Sequence, residues 1–482
     1  VSPAPPAAPP PRTPARVTVV GIGADGWDGL PAASQEALRG AGTLVGGVRQ
    51  LALLPAECAG ERVAWPSPLR PAVPGLLAAH AGREVCVLAS GDPMFYGIGR
   101  TLAEVLGEAG AAPPRVLPHP SSVSYACARL GWPVEDTEVV TLVGRPLAGL
   151  AAALHDGRRL LVLSAGAATP AQVAGLLRER GFGPTRMRVL EQLGGPRERQ
   201  AESTAADWPS PPAAHGTAPP AADGTGPLDA TGPPLDFTDP LDSAAPLNAI
   251  DPLNVVALDC ARDPEALRLS AAPGLPDAAY EHDGQLTKRH VRAATLAALA
   301  PAPGELLWDI GGGSGSIGIE WMRTHRTCRA VAVERDAVRA GRITRNADAL
   351  GVPALRVVTG PAPEALAGLP VPHAVFIGGG LTAPGLLEAC WAALPPGGRL
   401  VANTVTLESE ALLADWYRRH GGDLVRLAVA HAVPVGGFTG WRQAMPVTQW
   451  SATKPRAAAS TASTASPASP TPDAPSAPGD AQ

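Results

Sequence analysis

The sequence predicts a two-domain α/β protein, and three observations carry that prediction. Short apolar strands alternate with helical stretches over residues 16–202 and again over 287–450. A glycine-rich loop follows the first strand of each block, at 21–26 and at 311–316. The prolines concentrate outside the blocks, with 24 of 55 falling in the 88 residues 1–15, 208–252 and 455–482. At 482 residues and 45% apolar composition, the chain is too long for one ordinary domain and apolar enough for real cores.

Taken in order, VTVVGIG (17–23) has the β-branched density of a buried strand and runs into the first glycine loop. ASQEALRGAG (33–42) reads as a helix stopped by glycine, TLVGG (43–47) as a short strand, and VCVLASGDP (85–93) as a strand entering a tight loop. GRTLAEVLGEAG (99–110) is helical. The strands RRLLVLSAG (158–166) and RMRVLEQL (186–193) flank the helix PAQVAGLLRERG (170–181), whose last glycine suits a C-cap. LNVVALD (253–259) is a strand that returns to this domain across a low-complexity insertion. Loop closure tolerates such an insertion because its cost grows only logarithmically with length.

In the second block, a helix over 287–300 precedes the strand ELLWDI (305–310) and the loop GGGSGS (311–316). Strands follow at 329–334, 356–360, 374–379 and 399–405, with helices at 317–324, 336–351, 384–394 and 408–421. Two late strands, 424–432 and 443–450, close a doubly wound sheet. The expected organisation is a disordered tail (1–15), a first domain (16–260) with a disordered insertion (203–252), a linker (261–278), a second domain (279–450) and a second tail (451–482).

The formal net charge is −5, from 39 basic and 44 acidic side chains. That balance disfavours a nucleic-acid partner, which needs a basic field. The six cysteines lie at least 28 residues apart, so neither a zinc site nor a disulfide framework is expected, and no metal is assigned. No apolar run reaches the ~18 residues of a membrane span. The proline-rich start lacks the apolar stretch of a signal peptide. The expectation is a cytoplasmic protein with no membrane partner.

Asp309-Ile310-Gly311-Gly312-Gly313-Ser314-Gly315-Ser316 is the strongest local signal. Glycines 311, 313 and 315 follow a strand and open a helix, where backbone can approach a ligand. A plain tight turn would look similar. Glu334, 23 positions after Gly311 at the end of the next strand, stands where a ribose diol is gripped. A dinucleotide loop wants a third glycine where Ser316 stands. The spacing here instead suits S-adenosylmethionine.

With LTKRHVR, LLWDIGGGSGSIGIEW, VVTGPAPEAL, PHAVFIGGG and LPPGGRLVANTVTLES, residues 275–450 resemble the cobalamin-pathway precorrin-6B methyltransferases that also decarboxylate. Gly21-Ile22-Gly23, Gly91-Asp92-Pro93 and HPSSVSYACARLG (119–131) resemble the tetrapyrrole (corrin/porphyrin) methylase family over residues 16–260. The usual opening of that family, G-x-G-P-G-D, is replaced here by Ala24-Asp25-Gly26 after Gly23. The resemblance implies an N-terminal tetrapyrrole methylase fold followed by a Rossmann-like class I S-adenosylmethionine methyltransferase domain. It further implies one S-adenosylmethionine per domain, held by Gly21, Gly23, Gly91, Asp92, Pro93, Ser121 and Ser122 in the first. Asp309, Gly311, Gly313, Gly315 and Glu334 would hold the second. Ser121 and Ser122 serve equally as helix caps.

The implied substrate is a precorrin, a polyanionic tetrapyrrole methylated at bridge carbons 5 and 15 and decarboxylated at its ring C acetate. Among Lys288, Arg289, His290 and Arg292, which open the helix before the cofactor strand, some are candidates for its carboxylates, although a solvated helix surface explains them as well. Gly379 and Asn403, at strand ends, are further candidates. His290 stands where many family members carry Glu and is not assigned as catalytic. Glu364 suits a helix-start acid better than a base. No catalytic acid or base is assigned. A homo-oligomer is expected from the family. The alternative is a single-site methyltransferase in which one domain is a non-catalytic binding module.

Overall fold

The structure, a computed structural model, describes residues 16–209, 247 and 249–456. The expected tail 1–15, most of the expected insertion and residues 457–482 lie outside the described residues.

The chain opens with β1 (Arg16–Ile22), β2 (Thr43–Gly46), β3 (Glu61–Ala64), β4 (Glu84–Ser90) and β5 (Arg115–Leu117). They form a parallel sheet in the order β3-β2-β4-β1-β5. β1 and β4 pair from Arg16 opposite Glu84 to Ile22 opposite Ser90. Both are covered on both faces, so they read as nearly unbroken apolar runs rather than as alternating ones.

A second sheet contains β6 (Glu138–Thr141), β7 (Arg159–Leu163), β8 (Arg186–Glu191), β9 (Arg199–Thr204) and β10 (Asn254–Asp259), in the order β6-β7-β10-β8-β9. β10 is antiparallel to both of its neighbours. The insertion begins later than residue 203. β9 runs to Thr204, and Ala205 and Trp208 are buried in the core of this sheet. Asp251 also belongs to the packed chain: its backbone N–H donates to Glu191 at 2.6 Å. Low-complexity composition concealed these anchors.

The second domain holds β11 (Leu306–Ile310), β12 (Arg329–Glu334), β13 (Arg356–Thr359), β14 (Ala374–Ile377), β15 (Arg399–Thr404), β16 (Asp423–Leu427), β17 (Ala430–Val435), β18 (Phe438–Gln443) and β19 (Val447–Thr453). Seven of them form the sheet β13-β12-β11-β14-β15-β19-β16, parallel through β15. β19 is antiparallel to β15 and to β16. The two expected late strands are four. β17 and β18 leave the main sheet as a separate hairpin that turns at Val435–Phe438. The tail begins after residue 451 as well, because β19 runs to Thr453. Lys454 then donates to the carbonyls of Trp391, Ala392 and Leu394, capping the helix Leu386–Ala393.

The expected linker also needs correction at its C-terminal end. Leu275 and Tyr280 are buried in the second domain's core. The Glu320 carboxylate, on the helix Ser316–Thr324, holds this segment in place. It accepts from the backbone N–H of Gly274 at 2.6 Å and of Leu275 at 3.0 Å, and from the Tyr280 hydroxyl at 2.8 Å. Arg292 Nε adds a fourth bond at 2.5 Å. Arg292 also donates to Asp277 at 3.2 Å and to the carbonyls of Thr287 and Leu275. Its guanidinium lies 4.8 Å from the Tyr280 ring centroid. Glu320→Gln leaves the buried guanidinium only the more exposed Asp277 as an anion, and breaking such a buried pair costs about 3–5 kcal/mol. The expected outcome is a lower urea midpoint for the second domain's unfolding, followed by its tryptophan fluorescence.

Candidate active site

The C-terminal ends of β11, β12, β14 and β15 open into a cavity of about 770 Å³. This is where ligands bind in open parallel sheets. Gly311 stands at φ +71°, and a Cβ there would lie 2.8 Å from the backbone nitrogen of Gly379. The two glycine loops therefore meet backbone to backbone across the ends of β11 and β14. Gly313, at φ +59°, donates its N–H to Glu334 Oε2 at 2.8 Å. Glu334 is buried at the end of β12, and its other oxygen accepts from Asp336 N at 3.0 Å. Asp309 accepts from Gly318 N at 2.9 Å, and complete burial pushes its carboxyl up to about 7. Ser314 Oγ is buried with no hydrogen-bond partner among the described residues.

Of the residues expected here, Asp309, Gly311, Gly313, Glu334, Lys288, Gly379 and Asn403 line the cavity. Gly315 does not. It caps the helix Ser316–Thr324 at φ +78°, and a Cβ there would sit 2.7 Å from Ile343 Cγ2, so the glycine serves packing. Arg292 is corrected outright: it is fully buried in the Glu320 cluster and faces no ligand space. Arg289 is exposed outside the lining and donates to the Gly274 carbonyl at 2.8 Å. Asn403 uses its amide on Thr295 at 2.8 Å and accepts from Gln449 at 2.9 Å. Glu364 is exposed at the start of a single helical turn.

Sequence reasoning placed His290 only among the basic residues considered for substrate carboxylates and did not single out Arg335, Phe376 or His431; all four line the cavity. Among the lining side chains, Lys288, Arg335, Arg339 and the two histidines face only Asp309 and Glu334 as acids. Arg339 is neutralised by Asp283 at 2.9 Å.

In the first domain, the expected loops gather at the C-terminal ends of β1, β4 and β5. A Cβ on Gly21 would lie 2.0 Å from the Gly91 carbonyl oxygen, and Gly91 stands at φ +59°. Gly23 packs on His119 and Asp25. His119 Nε2 lies 3.0 Å from Asp25 Oδ2, while Asp25 Oδ1 is buried without a partner among the described residues. This pairing bridges 94 positions and no local pattern announces it. Asp92 Oδ1 accepts from Met94 N at 2.8 Å, shaping its own turn. Pro93 is buried, and its carbonyl accepts from Gly99 N at 2.9 Å. Ser121 caps the helix Ser122–Leu130, accepting from Ser124 N at 3.1 Å. Ser122 is half-buried at the first position of that helix.

Both sites fit a nucleoside ligand: each offers a glycine cradle that a Cβ would fill and a buried polar atom with no partner among the described residues, Ser314 Oγ in one and Asp25 Oδ1 in the other. The second-domain cavity, at about 770 Å³, is within the ~300–1,000 Å³ range of small-molecule sites.

Residues 16–209 match the family model of tetrapyrrole (corrin/porphyrin) methylases, and residues 278–454 match that of the precorrin methyltransferase domain. Precorrin-6Y C(5,15)-methyltransferase [decarboxylating] of a Sinorhizobium species is 46% identical over 438 residues, which is 91% of this chain and 96% of that protein. The protein of the same name from Mycobacterium tuberculosis is 47% identical, over 91% of this chain and all of that one. The crystal structure of the C-terminal domain of precorrin-6Y C5,15-methyltransferase from Rhodobacter capsulatus is 51% identical, over 39% of this chain and all of that domain, with a TM-score of 0.37. Two family models in this order, with identity sustained through almost the full length of both relatives, place the chain in the family of decarboxylating precorrin-6Y C(5,15)-methyltransferases.

Proposed function

We propose that this S-adenosylmethionine-dependent methyltransferase acts on one precorrin at two places, with one cofactor per domain. The N-terminal domain methylates carbon 5. The C-terminal domain methylates carbon 15 and removes the ring C acetate carboxyl. The observation that carries this reading is the pair of glycine cradles, at Gly21/Gly91 and at Gly311/Gly379, each at the C-terminal edge of its own parallel sheet.

Bound S-adenosylmethionine supplies an electrophilic methyl group on a sulfonium. The bridge carbons of a reduced tetrapyrrole are enamine-like and already nucleophilic, so the protein's work is alignment and water exclusion. Orientation of this kind contributes about 7–11 kcal/mol at its upper range. In the C-terminal site, Glu334 would take the ribose hydroxyls while the Gly311–Gly313 backbone lies against the cofactor. Lys288 and Arg335 would meet substrate carboxylates. Asp92, Pro93 and Ser121 shape the loops of the N-terminal site.

Mass spectrometry of the product tests the reading. The full chain, with precorrin-6B and S-adenosylmethionine, is expected to add two methyl groups and release carbon dioxide. Gly311→Val drives a side chain into the Gly379 backbone and is expected to leave only the carbon 5 activity. Cofactor stoichiometry by equilibrium dialysis is then expected to fall from two per chain to one. One site in the parent chain would instead favour a binding-module role for one domain. Glu334→Ala removes a charged acceptor worth about 1.5–3 kcal/mol, so affinity at one of the two sites is expected to fall roughly 10- to 100-fold by calorimetry.

Asp309 makes a pH prediction. Its folded pKa of about 7 lies above its unfolded value, so its stabilising contribution is complete below pH ~4 and is lost as pH rises through 7. Asp309→Asn keeps an acceptor for Gly318 without the charge. Its melting temperature is expected to gain on the parent's progressively between pH 4 and pH 7, and the gain levels off above that.

A further inference from the structure

The decarboxylation leaves a carbon that must be protonated, and we propose that His290 and His431 form the acid that protonates it. The inference rests on the functional reading above. His290 lies in the first turn of the helix Arg289–Leu299, and His431 lies in β17 on the projecting hairpin. The two positions are far apart in sequence, yet their rings face each other with centroids 5.8 Å apart. Both line the large cavity, and Lys288 lines it beside them. Neither ring makes a hydrogen bond or ion pair among the described residues, so both stay free to meet a ligand.

Elimination points the same way. The other ionisable groups lining the cavity are Lys288, Arg335, Arg339, Asp309 and Glu334. Guanidinium groups do not give up protons in proteins, and Lys288 is the cation assigned to the substrate carboxylates in the reading above. Glu334 accepts a backbone N–H at each oxygen and is given to the cofactor ribose in the reading above, away from the substrate. Asp309 lies behind the glycine loop, only 1% exposed, and is held by Gly318. Histidine is the side chain whose proton is exchangeable near neutral pH, and here it comes as a pair.

Strand order separates the histidines from the cofactor-binding edge. Glu334 ends β12, while β16 and β19, the strands that flank the hairpin in sequence, lie beyond β15. At about 4.8 Å per strand, β12 and β15 alone stand roughly 14 Å apart. The histidines therefore stand on the side left for the tetrapyrrole, together with Leu427, Val429 and Met445.

The step balances without an oxidant or reductant. The bond between the acetate methylene and its carboxylate carbon breaks, and carbon dioxide leaves. The electron pair enters the ring system as an enamine. Carbon dioxide loss is reversible until the enamine carbon takes a proton from a histidine N–H and becomes a methyl group, and solvent returns the proton to the pair.

The test compares the full-length parent with His290→Gln, His431→Gln and the double variant, using precorrin-6B and S-adenosylmethionine with mass spectrometry of the product. Both side chains are exposed, so the substitutions should leave folding intact; S-adenosylmethionine affinity by calorimetry checks this. General-acid catalysis is typically worth 10²–10⁴-fold, so decarboxylation in the double variant should fall about 100-fold or more relative to carbon 15 methylation. A methylated product that keeps its acetate should accumulate. Carbon dioxide loss and methylation in the parent ratio would overturn the proposal, as would an equal fall in both. If the parent chain itself neither methylates nor decarboxylates, the underlying functional reading fails instead.

Discussion

The buried pair of Arg292 and Glu320 is the constraint on which the second domain's site depends. Burying two charges is costly, and the cost is offset only when every lone pair and proton finds a partner. Here four donors converge on one carboxylate, and the guanidinium also reaches Asp277 and two carbonyls. Most of those partners belong to residues 274–287, a strap with little regular structure of its own. The strap ends at the residues that form one wall of the cavity, from Gly284 to Lys288. The ion pair therefore positions that wall without touching the ligand space.

The two glycine cradles show one solution reached on two different sheets. Parallel strands end side by side, and the loops leaving them must cross the same small area. At Gly21 and Gly91, and again at Gly311 and Gly379, a side chain on one loop would collide with the backbone of the other. Absence of a Cβ lets bare backbone N–H groups face the space above the sheet. The requirement is steric, which is why it leaves such a clear mark on the composition of those loops.

Charge is distributed locally rather than globally. The chain carries a net −5, yet the large cavity is lined by more cationic and proton-donating side chains than acids. One of its two acids, Asp309, is held toward its neutral form by burial. An acidic protein that receives a polyanion can lower the repulsion it presents in this way, by pairing arginines elsewhere with surface acids and leaving Lys288 and Arg335 at the cavity without partner side chains among the described residues.

The alternation of elements, the glycine loops and the two-domain α/β class were legible because they arise from short-range physics: β-branched runs, helix stops and residues that tolerate positive φ. What each polar side chain does was not. Lys288 and Arg292 are four positions apart, a spacing that would put both on one face of a helix. Packing separates them: Lys288 is the cap residue, left at the cavity, whereas Arg292 turns inward to Glu320. Trp208 lies at the rim of a low-complexity stretch and is a core residue all the same. The contact of His119 with Asp25, and that of His290 with His431, join residues from distant parts of the chain. The sequence by itself determined the layers and the loops, since these depend on neighbours along the chain. Only the tertiary structure decided which charges are buried and paired and which face the ligand, since that depends on neighbours in space.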